Sequence, residues 1–240
     1  MTDTLNIANP YVRRARLQPA MIVALPIALA TLAWKPTGIA GWSVFWSLFV
    51  WCGGTALLAQ VARDRGKRKE PDLYRSWGGK PTTRFLRHRD APNKTVLGRR
   101  HQKLQRIVTG IQIPTIEEER ENPVKADDAY DACTAFLLEK TRDKKRFSLV
   151  FEENCNYGFR RNLWGLKPLG ITTSVVGTAA AAAVIVFNHQ SGITTAPLAI
   201  ICAVINILLL IGWLVWFTPN WVRIPAEAYA ERLLAACENL

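Results

Sequence analysis

Acidic residues are scarce in this chain: 19 Asp and Glu stand against 31 Lys and Arg, a formal net charge of +12. Histidine occurs only at 88, 101 and 189, and there is no His-Glu-x-x-His run to seat a catalytic metal. A glycine-rich phosphate cradle and a Gly-x-Ser-x-Gly nucleophile elbow are also missing. The five cysteines are isolated, with no Cys-x-x-Cys pair, which excludes a disulfide framework or a zinc site and points to reduced thiols. No cofactor, metal or catalytic residue is therefore expected. Elsewhere it is charge itself that is missing. Leu17 to Trp34, Ile39 to Ala62, Ile171 to Asn188 and Thr195 to Phe217 hold almost none.

Each of those stretches is close to the ~20 apolar residues a helix needs to cross ~30 Å of hydrocarbon. A soluble helix of that length normally keeps one charged face for water. A cleaved leader is a poor reading of the first stretch, because no small-residue cleavage site follows it. Trp34, Lys35, Pro36, Thr37 and Gly38 instead turn the chain into the next apolar run. The expected fold class is an all-α membrane protein: four transmembrane helices in two hairpins, with a mostly helical cytosolic module between them. The domains read as a lead over 1–16, hairpin one over 17–62, a basic module with an interfacial connector over 63–168, hairpin two over 169–217, and a tail helix over 218–240.

Lys and Arg are retained on the cytoplasmic side of a membrane. Arg13, Arg14 and Arg16 precede the first span, Arg63 to Lys69 follow the second, and Arg160, Arg161 and Lys167 precede the third. The hairpin turns hold only Lys35 and His189. This predicts a multi-pass protein of a bacterial inner membrane with both termini cytoplasmic. Anionic headgroups account for the positive charge, and nucleic acid is not a needed partner.

Within the module, irregular chain is expected from Gly66 to Gly98, with a structured turn over Trp77 to Pro81. A helix is predicted from Arg99 to Thr109, ended by Gly110. Thr115 and Glu118 have capping-box spacing, and Asn122 with Pro123 restart a helix over 123–140. Phe147 to Phe151 alternates like a strand whose partner would be Ile111 to Ile113, the alternative being irregular chain that continues into the membrane entry. The run from Asn154 to Pro168 mixes aromatics with cations and reads as an interfacial helix. The tail helix is expected to start near Pro225. The second span carries an aromatic stripe, Trp42, Phe45, Trp46 and Phe49, followed by Trp51, Gly53 and Gly54.

Several side chains carry candidate function. Arg84, Arg87, His88, Arg89, Arg99, Arg100 and His101 cluster cations with two imidazoles and are the candidate anion or ligand site. A His beside Asp90 is also compatible with a general base, although a solvated or headgroup-facing surface is the plainer reading. Arg160, Arg161, Trp164 and Lys167 are the candidate membrane-coupling set. Gly170, Ser174, Gly177, Thr178 and Ala181 form a small-residue face for close helix packing. Asn206 is the one strongly polar side chain deep in the fourth span, and a hydrogen bond between spans is favoured over a pore-lining role.

The segments LRHRD at 86–90, ADDAYDAC at 126–133 and ENCNYGFRRNLWGLKPLGI at 153–171 resemble those of uncharacterised bacterial four-span membrane proteins with a two-plus-two layout. In topology alone that layout is similar to membrane effectors of antiphage defence systems. The resemblance implies a cytosolic sensing domain that alters the membrane on activation; the cationic module, the interfacial connector and the small-residue face of the third span suggest that it receives an anionic ligand, a nucleotide or a protein and acts through a homo-oligomeric bundle. A membrane-anchored scaffold for a cytosolic protein or nucleic acid is the alternative, and a membrane-bound hydrolase using His88, Asp90 or His101 a second one.

Overall fold

The computed structural model describes residues 9–34, 54–194 and 197–240. Every regular element among them is helical. In order these are α1 (Val12–Trp34), α2 (Gly54–Ser76), α3 (Pro81–Arg84), α4 (Lys94–Ile107), α5 (Ile116–Glu121), α6 (Pro123–Lys140), α7 (Ser148–Gly165), α8 (Lys167–Gln190), α9 (Pro197–Val215) and α10 (Pro219–Ala235), closed by a 3-10 turn at Ala236–Asn239. α1 opens as a π-helix over Val12–Leu17.

Three of these helices, α1, α8 and α9, are long and apolar enough to cross a membrane, and the protein is membrane-embedded. Large apolar side chains cover their outer faces. Leu25 and Leu32 on α1, Val176 and Val186 on α8, and Ile200, Val204, Ile207 and Ile211 on α9 are all exposed. Water would penalise so much bare hydrocarbon, whereas acyl chains do not. The aromatic stripe expected at Trp42 to Trp51, with Gly53, lies outside the described residues, as do the hairpin turn from Lys35 to Gly38 and most of the second predicted span.

The chain divides into two compact units: residues 1–69 with 158–222, and residues 70–157 with 223–240. The three divisions fall inside α2, α7 and α10, so each of those helices contributes to both units.

In the first unit α1, α8 and α9 pack on one another. At one end Ala20, Val23, Ala62, Leu163, Leu166 and Trp213 form a core; at the other, Ala33 meets Ala199 and Cys202. Where α2 meets α7 the backbones nearly touch. A Cβ on Gly165 would lie 2.7 Å from Gly66 N and 2.8 Å from Arg65 O.

The second unit is built on Leu86, Leu104, Val108, Tyr130, Cys133, Leu137, Phe147, Val150, Leu233 and Leu234. Thr115 and Glu118 close the capping box at the start of α5, and the Asn122 side chain caps α6 at Lys125 N. Trp77 is buried beneath a turn whose Gly78 and Gly79 have φ of 80° and 132°, angles that glycine tolerates without a Cβ clash.

Four sequence expectations are corrected. Phe147 to Phe151 is no strand: the Asp143 carboxylate accepts from Lys145 N and Arg146 N, turning the chain into α7, which begins at Ser148. Ile111 to Ile113 pairs with no strand either, because Gln105 donates to Ile111 O and accepts from Ile113 N. Residues 66–76 are not irregular, since α2 continues through Pro71 to Ser76. The tail helix starts at Pro219, with Pro225 inside it.

Candidate functional site

The four residues expected to couple to the membrane gather at one end of the first unit, where Arg160, Trp164 and Lys167 each contact a neighbouring segment and Arg161 braces Asn162 on its own helix. Arg160 donates to Trp221 O at 2.9 Å, with its guanidinium 4.7 Å over the Trp221 ring. Buried Arg161 donates through Nε and Nη2 to Asn162 Oδ1 at 3.1 and 3.0 Å. Asn162 in turn donates to Ala15 O at 2.6 Å. The Lys69 ammonium sits 5.8 Å over Trp164. Lys167 donates to Phe217 O at 2.9 Å and Leu214 O at 3.3 Å, capping carbonyls that the end of α9 leaves without partners. Asn162 was missed in the sequence, where nothing marks a polar residue destined for full burial.

The small-residue face of α8 is filled by the chain itself. Gly170, Ser174, Gly177 and Ala181 are buried. A Cβ on Gly170 would run into the Trp213 indole, and one on Gly177 would stand 2.7 Å from Pro26 O. Thr178 is turned to its own helix, donating to Ser174 O at 2.7 Å. Asn206, fully buried, donates to Pro26 O at 3.3 Å. Asn206 Oδ1, Ser174 Oγ and Trp213 Nε1 are buried without a hydrogen-bond partner.

In the second unit the cation cluster divides into paired and less paired members. Arg87 is buried and grips Asp127 with two prongs, Nε to Oδ1 at 2.7 Å and Nη2 to Oδ2 at 2.6 Å. Its Nη1 donates to Gly78 O and to Asp90. The bonds to Asp127 outweigh desolvation and raise its pKa further. Lys80 and Thr83 both reach Asp131. Arg84 pairs with Glu227 at 3.3 Å and Arg99 with Glu238 at 2.6 Å. Arg100 lines a small cleft beside Phe85 and Glu231. Asp90 therefore serves Arg87, while His88 Nε2 donates to Pro114 O at 3.0 Å and His101 Nε2 to Leu86 O at 2.8 Å.

Beneath these cations lies Glu119, a buried carboxylate that sequence reasoning passed over. It accepts from Tyr130 OH at 2.8 Å, His88 N at 2.7 Å and Arg89 N at 3.3 Å. His101 is stacked on Tyr130 and edge-on to His88. Burial pushes His101 below the ordinary imidazole range and Tyr130 far above the phenol range, the Glu119 bond adding to the latter. Burial also lifts the Cys133 thiol to about 11, which keeps it protonated and unreactive at neutral pH. Among the described residues no three His, Cys, Asp or Glu side chains converge on a metal-sized gap. The geometry can bind, orient and hold charge.

No family model, curated protein or solved structure matches this chain.

Proposed function

We propose that this is a four-span inner-membrane protein whose second unit lies in the cytosol, receives an anionic ligand or partner, and acts on the bilayer as a membrane-perturbing effector. The observation that carries the reading is that all three divisions between the units fall inside helices, α2, α7 and α10. A helix transmits displacement along its length, so a change in one part of it reaches the other.

The fourth crossing is supported by the ends of the described helices. α1 finishes where Ala33 meets Ala199 and Cys202, yet Leu58, Val61 and Ala62 of α2 pack with Ala20 and Leu166 at the other end of the bundle. The apolar run from 39 has the length to return across the bilayer. The orientation is supported by charge: exposed Arg13, Arg14, Lys67, Arg68 and Lys69 sit toward that same second end and suit anionic headgroups of the inner leaflet. Assembly of several copies would use the outward Ile200, Val204, Ile207 and Ile211, since the small-residue face is filled. A role in bacterial defence follows the resemblance of the layout.

Reconstitution of the purified chain in liposomes tests the effector reading. Dye leakage on activation supports it, and intact vesicles under every ligand tried would overturn it. A second reading, a membrane-anchored scaffold, is favoured by the filled α8 face, and it predicts partner capture without leakage. Protease added outside sealed cells should spare residues 70–157.

A further inference from the structure

We propose that the cleft between the His88–Lys94 loop and α5 binds a small phosphorylated ligand, a phosphate monoester carried on an apolar or aromatic body. The inference rests on the ligand-receiving role proposed above and gives that role an address and a chemistry.

The cleft has a volume of about 420 Å³, within the range of small-molecule sites. Arg89, Lys94 and Arg120 line it, with Glu119 as the one carboxylate. That carboxylate is already satisfied by Tyr130 OH and two backbone N–H groups. Its ion pair with Arg89 is long, at 3.7 Å. Lys94 spends one donor on His88 O, leaving two, and Arg120 has no acidic partner among the described residues. Three cations thus surround one saturated carboxylate, and the unmatched positive charge calls for an anion bearing more than one charge. A phosphate monoester carries about −1.5 to −2 at neutral pH and offers three acceptor oxygens. The lining also holds apolar surface: Ile116 is 55% exposed and Pro123 is exposed.

Charge balance separates this cleft from its neighbours. The one lined by Glu118, Glu121 and Lys125 sets two carboxylates against one lysine, and the one at Arg100 and Glu231 is matched one to one.

Isothermal titration of the full chain in neutral-lipid nanodiscs with phenyl phosphate, and with inorganic phosphate, tests the proposal. Phenyl phosphate should bind saturably and more tightly than inorganic phosphate. Lys94→Ala with Arg120→Ala should weaken it at least about tenfold, a loss near 1.4 kcal/mol, with thermal stability retained, while Lys145→Ala, at an exposed lysine outside the cleft, leaves binding unchanged. Repeating the titration in nanodiscs containing phosphatidic acid identifies the source: competition assigns the phosphate to a lipid headgroup, its absence to a soluble molecule, and either supports the site. Absence of saturable binding into the millimolar range, binding indifferent to both substitutions, or displacement by an acidic peptide but not by phenyl phosphate would overturn it. Leakage without phenyl phosphate binding would sink this inference alone, and binding without leakage would sink the effector reading alone.

Discussion

The side-chain amide of Asn162 donates to the backbone carbonyl of Ala15 at 2.6 Å, joining residues 147 positions apart. Asn162 Oδ1 accepts from Arg161, and its backbone lies under Gly66. Replacing Asn162 by Leu keeps the number and branching of the side-chain heavy atoms and removes those bonds. Thermal stability of the purified chain in detergent is expected to fall by the equivalent of about 1–3 kcal/mol. A melting temperature equal to that of the parent protein would show that the junction does not depend on this residue.

Two glycines should respond with opposite sign. Gly165→Ala puts a methyl 2.7–2.8 Å from the backbone of Arg65 and Gly66, which main chain cannot yield cheaply, so α2 and α7 must separate and stability drops. Gly98 lies inside α4 with nothing within 4 Å of a built Cβ. There alanine relieves the entropic cost of glycine in a helix and should stabilise by up to about 1 kcal/mol. Parallel melting curves of the two variants decide the matter.

Arg87 ties the turn after Trp77 to α6 through Gly78 O, Asp90 and both oxygens of Asp127. Lysine offers a point charge in place of a planar fork, so Arg87→Lys should loosen the region, and Arg87→Ala should cost about 1.5–3 kcal/mol by leaving two partly exposed carboxylates without their cation. Hydrogen exchange should rise in residues 77–91 and 123–131. Unchanged protection in those segments would contradict the prediction.

Acid should weaken the second unit through His101. Its folded pKa lies below the ordinary 6.5, burial being the main cause. The unfolded chain therefore binds the proton more readily than the folded one. This contribution is fully present above pH 6.5 and is lost as the pH falls below that value toward the folded pKa. Hydrogen-exchange protection around Leu86, Tyr130 and His101 should decline between pH 7 and pH 5, and His101→Gln should flatten that decline.

How far the fold was legible depends on what drives each element. α5 and α6 were readable because their signals are local: Thr115 with Glu118, and Asn122 with Pro123, supply the caps, and Tyr130, Cys133 and Leu137 repeat at helical spacing. The continuation of α2 beyond Ala62 was not, because its buried positions are Gly66, Leu73 and, just beyond its end, Trp77. The regular spacing is masked by a glycine and by the exposed cations between. Phe147, Leu149 and Phe151 alternate as a strand would while Phe147 and Val150 stand at a helical interval, and nothing local decides between the two. The cation cluster at 84–101 was visible as composition, yet apart from Asp90 its acidic partners come from α5, α6, α10 and the terminal turn. Glu119 and Asn162 left no trace, since a buried polar residue is defined by neighbours far away in the chain.

The π-helical opening of α1 has a bearing on how its N-terminal cations are aimed. Gln18 N bonds to Arg13 O, five residues back, where a regular helix would reach four. One extra residue in a turn rotates everything upstream by about 100° relative to the helix that follows. A helical wheel drawn from Trp34 backward therefore assigns Arg13 and Arg14 to the wrong azimuth. Deleting a single residue from this segment would restore even winding and leave both arginines near the azimuth they hold now, because the wide turn already absorbs the extra residue.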